Sequence, residues 1–399
     1  MPAPTFDTPT LTKTLTELVA IKSLSGEEKP MAEYIEAYLK RAGYTVDRDA
    51  QDNVVAILEP EIPGLAEINT LHLSGHTDTV PPADGWPGDP FTPTISGVGE
   101  ERKLMGLGSC DMKGGLTSML HLAAHLSQRK ERFKHLRIVF SFTVCEENSA
   151  LAKKNGVHAV LKKYPGRWAV TTEASCDETG PTLTLGCQGH ALARIALRGR
   201  SAHSASPELG FNAIHAAGTV IERVARQHAA FLPFPIYGSV QALAAVAVTR
   251  ISGGQAHNMV PEKCELTISR RLVPGEGTDE VKREAEAWTA GLLQQGIEVV
   301  TKVDCDAPGC VVNTDGPLFL AACNAARKLY GTARFSWNRA RTDMVLFKKA
   351  GMDVLNIGPG YFGQAHTAGE AIRVVDLPRV SSLLYGLCEG LDAGLRASP

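Results

Sequence analysis

The sequence predicts an α/β domain interrupted by a smaller ferredoxin-like α+β domain, and three observations carry that prediction. Helix-period and strand-period segments alternate up to Pro181, a stretch of βαββαβ character follows, and the alternation resumes after Pro308. A chain of 399 residues also exceeds what one ordinary core accommodates. The expected division is a discontinuous domain of residues 1–184 and 305–399, with residues 185–304 inserted.

Residues 10–22 set Leu11, Leu15 and Leu18 at helical spacing, and residues 28–42 form a second amphipathic helix ended by Gly43. Residues 71–75 read as a short buried strand and residues 116–127 as a helix. Residues 136–144 (LRIVFSFTV) are the clearest strand of the chain, and residues 167–172 form another. This alternation predicts a sheet with helices on both faces. Functional side chains then collect at the carboxyl ends of strands, where His76, Glu146, Glu147 and Glu173 fall. The insertion reads as strands over 182–200, a helix over 211–229, strands over 244–251 and 264–272, a helix over 279–294 and a strand over 297–303. Beyond it come a helix over 318–330, a strand over 354–357 and a last helix from Pro378.

Composition narrows the function. With 44% hydrophobic and 21% charged residues and a net charge of −2, nothing favours nucleic acid or an anionic membrane as a partner. The longest small-apolar stretch, residues 242–248, is far short of a membrane span. The start MPAPTFDTPT lacks a cationic, apolar leader, so a cytoplasmic protein is expected. Nine scattered cysteines without a CxxC pair read as small core residues in a reducing compartment, Cys110 and Cys145 included.

Five side chains in turn-like settings carry the chemistry: His76, Asp111, Glu147, Glu173 and His366. Two imidazoles and three carboxylates suffice for two zinc-class ions bridged by one carboxylate. Each is ambiguous alone. His76 and Asp78 are as well read as a loop histidine and a turn cap, or Asp78 can orient His76 or order the loop beneath it. Asp111, in GLGSCDMKGG, is also a candidate helix cap, although glycines on both sides favour a tight backbone that carries it into a crowded site. The pair Glu146 and Glu147 follows the strongest strand. Adjacent side chains point apart, so one can bind metal while the other takes a proton. His121 and His125, four apart on a helix, lack the HExxH glutamate and read as packing or surface residues.

Taken together, HTDTVP, GLGSCDMKGG, the Glu-Glu pair after a strand, Glu173 and GQAHTAGE resemble the M20 family of metallopeptidases and deacylases. Within it, the chain is most similar to the acetylornithine deacetylase and succinyl-diaminopimelate desuccinylase branch. The resemblance implies a zinc-peptidase-like catalytic domain with an inserted lid/dimerisation domain. It also implies two Zn2+ ions, with Co2+ or Mn2+ as substitutes, and a homodimer. His76 and Glu173 would hold one ion, Glu147 and His366 the other, and Asp111 would bridge them. Glu146 would be the general base, Asp78 would sit behind His76, and the Asp111–Met112 peptide would be cis. In the insertion, His203 (RSAHS) would steady the oxyanion in the partner subunit's site. Asn258, in a GG-x-x-x-N-x-x-P loop, would contact substrate, and Arg271 would grip a substrate carboxylate. The expected activity is removal of an acyl group, acetyl foremost, from a small N-acyl amino acid such as N-acetylornithine. The alternatives are a dipeptidase or carboxypeptidase, a desuccinylase, and a non-catalytic scaffold, which would lack ligands. Departures at Asn148-Ser149, Ser269 and Arg341-Thr342-Asp343 bear on substrate contacts, not on the ligand set.

Overall fold

Short apolar runs closed by turn residues place four parallel strands side by side in the computed structural model, which describes residues 4–62, 69–129, 133–148 and 154–395. Across the sheet they are Arg137–Thr143, Thr70–His76, Trp168–Thr171 and Asp353–Asn356. Val54–Leu58 and then Val46–Arg48 extend one side, and Leu183–Cys187 the other, all antiparallel. Because the four central strands run the same way, their carboxyl ends share one edge. His76 pairs with Thr143 there, and Asn356 with Thr171.

Every residue of Thr70–His76 is buried, as expected of a parallel strand covered on both faces. Alternation assigns the faces. Gly75 lies under the helix Gly114–Ser127, where a Cβ would come within 2.7 Å of Met112 and 2.8 Å of Leu116. His72, of opposite parity, meets Phe347 of the helix Met344–Lys349, with ring centroids 5.6 Å apart. Helices therefore flank both faces.

By contact density the chain forms two units. One comprises Met1–Gly186, Val312–Ser336 and Thr342–Pro399, and the other Cys187–Val311 and Trp337–Arg341. The second unit contains a four-stranded antiparallel sheet in the order Ala245–Gly253, Lys263–Leu272, Gly189–Arg198, Glu298–Ala307. With the helices Ala213–Ala230 and Thr278–Thr289 the chain order is βαββαβ, the ferredoxin-like arrangement. Ala191, Ile195, Val220, Leu266, Ile268, Val281 and Trp288 join in its core. Asn212 caps the longer helix, its side chain accepting from the N–H groups of Ile214 (2.9 Å) and His215 (3.1 Å).

Some expectations change. The helix expected over 279–294 stops at Thr289, because Gly291 takes a left-handed backbone (φ 80°) and only a 3-10 turn, Leu293–Gln295, follows. A three-stranded sheet of Thr94–Ser96, Lys103–Met105 and Ala371–Arg373 was not foreseen. On the helix Gly114–Ser127, His121 takes the packing alternative of the two expected, on a partly buried face. Its Nε2 lies 2.8 Å from the Thr14 hydroxyl, and burial lowers its pKa to about 4. All nine cysteines are free thiols. Burial pushes Cys110 far up, and burial with the nearby Glu28 carboxylate pushes Cys145 up to about 12, which leaves both as inert thiols at neutral pH. Among the described residues no helix is long and apolar enough to cross a membrane.

Candidate active site

The shared edge of the parallel strands gathers the five sequence-predicted ligands of the first unit. His76 is the last residue of its strand, Glu147 lies just past Arg137–Thr143, and Glu173 just past Trp168–Thr171. Asp111 sits in Ser109–Lys113, whose backbone leaves helical geometry at Asp111 (φ −121°, ψ 94°) and Met112, with a cis peptide between the two. Gly108 ahead of it is left-handed (φ 77°). Cys145 and His366 are non-glycine residues with left-handed backbones (φ 59° and 61°), and both adjoin or belong to the cluster.

Asp111 is the centre. Its Oδ1 lies 3.2 Å from His76 Nε2 and its Oδ2 3.4 Å from His366 Nε2. Each imidazole has its own glutamate: Glu173 at 3.8 Å from His76 Nε2, and Glu147 at 3.1 Å from His366 Nε2. Ligand atoms of His76, Asp111 and Glu147 all fall within 4.8 Å of one another. Glu146 adjoins this group in sequence, and its charge is felt at Glu173.

The electrostatics describe a site short of positive charge. Burial alone would raise Asp111, but hydrogen bonds and charge from His366 and His76 hold its carboxyl below the usual carboxylate range. Burial and the Asp111 charge raise Glu147 and raise Glu173 further. Hydrogen bonds to Asp111 and Glu147 raise His366 to about 11. His76 rises well above its ordinary value because Asp111, Glu173 and Asp78 outweigh its burial. Carboxylates crowded so closely demand cations, and the mixed N/O donor set with two oxygens diverging from Asp111 fits a pair of divalent ions.

The Asp78 carboxylate binds the glutamate turn as well as facing His76. Its Oδ1 accepts from Glu146 N (3.1 Å), and its Oδ2 from Glu147 N (3.0 Å) and Ser25 Oγ (2.6 Å). His76 Nδ1 lies 3.0 Å from the main-chain oxygen of Asp78. The Asp78 carboxylate thus meets both neighbours that the sequence offers it, binding the loop N–H groups and lying 3.6 Å from His76 Nδ1.

Three buried residues of this region escaped sequence reasoning. Glu28 accepts from Cys145 N (3.1 Å) at the turn before the glutamate pair. Asn356 brackets Glu173, accepting from its N–H (2.9 Å) and donating to its carbonyl (3.1 Å). Glu370 binds the backbone around Asp111, and it stood unassigned in the GQAHTAGE motif. Gly358 permits the close approach of its loop, since a Cβ there would lie 2.1 Å from the Thr172 carbonyl.

The model of peptidase family M20/M25/M40 matches residues 72–390. The chain belongs to this family. Among M20 relatives, a succinyl-diaminopimelate desuccinylase of Corynebacterium glutamicum is 30% identical over 370 residues, covering 92% of this chain and 93% of that one. An acetylornithine deacetylase of Myxococcus xanthus is 28% identical over 391 residues, covering 94% and 96%. The fold is that of a dinuclear metal binding M20 peptidase of Bacillus subtilis, with a TM-score of 0.73 at 17% identity over 98% and 99% of the two chains. The protein is thus an M20 hydrolase acting on amide bonds.

The second unit holds the remaining predicted residues of this M20 chain. His203 forms a β-bridge with Met259, and Ser204 N donates to the Asn258 carbonyl at 2.9 Å, so His203 and Asn258 neighbour one another. Arg271 lies on Lys263–Leu272, opposite His190 and Ala245. Alternation separates it from Arg270. The side chain of Arg270 is fully buried on the helix-covered face, paired with Glu276 and Glu284 at 2.8 and 2.9 Å, while burial lowers the half-buried Arg271 from its usual range.

Proposed function

We propose that this M20 chain is a dinuclear metal-dependent amidohydrolase that removes a short acyl group from an N-acyl amino acid. The observation carrying this reading is the divergence of the two Asp111 oxygens, each toward a different histidine that has its own glutamate. His76 and Glu173 would hold one ion, His366 and Glu147 the other, and Asp111 both. The donor set favours zinc and accepts cobalt or manganese. When bound, divalent cations supply Lewis acidity, polarising the scissile carbonyl and acidifying water.

Glu146 takes the proton of the attacking water as the new C–O bond forms. It then returns that proton to the nitrogen as the C–N bond breaks, releasing carboxylate and amine. Asp78 holds this base by its main-chain N–H. His203, contributed by the second subunit of a homodimer, steadies the oxyanion. Arg271 grips the amino-acid carboxylate as a fork, and Asn258 adds a polar contact.

The deacetylase and desuccinylase relatives support the two acyl groups equally. The deciding assay is kcat/KM on N-acetylornithine, N-succinyl-diaminopimelate and a dipeptide panel with zinc or cobalt supplied. The mechanism is tested by Glu146→Gln, expected to keep two metal equivalents and lose at least about a thousandfold in kcat. Retained turnover removes Glu146 from the chemistry. Mixing Glu146→Gln and His203→Ala proteins should restore activity in hybrids if sites are shared, and no recovery counts against the shared site.

A further inference from the structure

We infer that Glu370 is a positioning residue for the metal centre: its buried carboxylate fixes the main chain that aims Asp111 at two histidines and ties that segment to the loop carrying His366. The inference rests on the five-ligand reading above.

Glu370 is 1% exposed. Its Oε1 accepts from Cys110 N (2.8 Å) and Asp111 N (3.0 Å), and its Oε2 from Gly108 N (3.1 Å). Its main-chain oxygen accepts from Gly106 N (3.0 Å) and Ser109 Oγ (3.4 Å). The next residues, Ala371–Arg373, pair with Lys103–Met105, so two segments distant in sequence run together on both sides of the carboxylate.

The need for such an acceptor follows from the backbone. The segment Ser109–Lys113 leaves helical geometry at Asp111 and Met112; the N–H of Ser109 donates to the Gly106 carbonyl (3.0 Å), whereas those of Gly108, Cys110 and Asp111 turn to Glu370. A carboxylate has enough lone pairs for three of them, and Asp111's own N–H is among the three. Gln cannot do the same. Its single oxygen reaches either Gly108 or the Cys110 and Asp111 pair, and its NH2 then faces a donor. Any relaxation at that point moves the side chain whose two oxygens diverge toward His76 and His366. Glu370 also sits four residues after His366, so the same relaxation disturbs the second ligand loop.

A general loss of stability must be separated from loss of aim. Asp392 supplies the control, because it is also a buried carboxylate on backbone N–H groups, accepting from His135 (2.7 Å) and Leu136 (3.0 Å) away from the ligands. Wild-type, Glu370→Gln and Asp392→Asn proteins are stripped with chelator, checked by circular dichroism and titrated with Co2+. Visible absorption and equivalents bound are read. Glu370→Gln should remain folded yet bind Co2+ about 10–100-fold more weakly with an altered spectrum. Asp392→Asn should melt earlier with wild-type Co2+ binding.

Equal affinity and spectrum in Glu370→Gln overturn the inference, as does the same weakening in Asp392→Asn. Wild-type protein that takes up no Co2+ would overturn the five-ligand reading instead. Should Glu370→Gln not fold, Glu370→Asp is titrated in its place. It keeps both acceptor oxygens on a shorter arm, and wild-type affinity in it likewise overturns the inference.

Discussion

Replacing Asp78 by Asn tests which of two neighbours the carboxylate serves. Asp78 is 1% exposed, and its oxygens accept separately from Glu146 N and Glu147 N at 3.1 and 3.0 Å. In either flip an asparagine offers one oxygen, so one of those N–H groups must face an NH2. A hydrogen bond to a charged acceptor is worth about 1.5–3 kcal/mol net, and its loss would let the Glu146 turn drift. If about 2 kcal/mol of that reaches the transition state, kcat falls roughly 30-fold. Metal binding should survive, because His76 leans on the Asp78 carbonyl (3.0 Å), with the carboxylate farther away at 3.6 Å. Steady-state kinetics on the acyl substrate, with metal equivalents counted on the same sample, decide the matter. A variant with kcat within twofold of wild type refutes the reasoning. So does one that loses metal but keeps its turnover per bound metal, which would return the carboxylate to His76.

Glu284→Gln should strand the buried Arg270 with Glu276 alone, costing about 3 kcal/mol in urea unfolding; a loss below about 1 kcal/mol would mean that Glu276 suffices. Arg271→Lys should raise KM for a carboxylate-bearing substrate about tenfold with little change in kcat, since a point charge replaces a fork. An unchanged KM would free Arg271 from substrate binding. Burial holds His72 at about 4, below its unfolded value near 6.5, so its neutral form stabilises the fold above pH 6.5 and that stability drains as the pH falls toward 4. Between pH 6.5 and 5 the loss is about 2 kcal/mol. The difference between wild type and His72→Leu should track it, and parallel pH profiles would argue against a buried neutral His72.

The sequence announces what depends on local pattern. Continuous apolar runs such as LRIVFSFTV become the central strands, and residues just past them become the site, because a parallel sheet presents its carboxyl ends together. The period-2 burial of Cys264, Leu266 and Ile268 likewise sends Arg270 inward and leaves Arg271 on the other face. The roles within the cluster came from motif resemblance, since no periodicity distinguishes a ligand from a turn carboxylate. Glu28, Asn356 and Glu370 were illegible for a different reason. Each binds main-chain N–H groups of a remote segment, and a backbone partner leaves no trace in the residue types around it. The small sheet that aligns Glu370 was hidden too, as Thr94–Ser96 is wholly exposed and shows no alternation.

Assembly of the cluster across the sheet edge has a consequence for timing. His76 and His366 lie about 290 residues apart in the chain, and Asp111 faces both. At roughly 5–20 residues per second, a ribosome needs on the order of 15–60 s to pass from one histidine to the other. Until then a nascent chain has at most His76, Asp111, Glu147 and Glu173, and Asp111 has no second imidazole opposite it. The five-residue cluster is therefore among the last features to mature. Contacts of such long sequence separation also form slowly, so His366 joins a cluster whose other members were synthesised long before it.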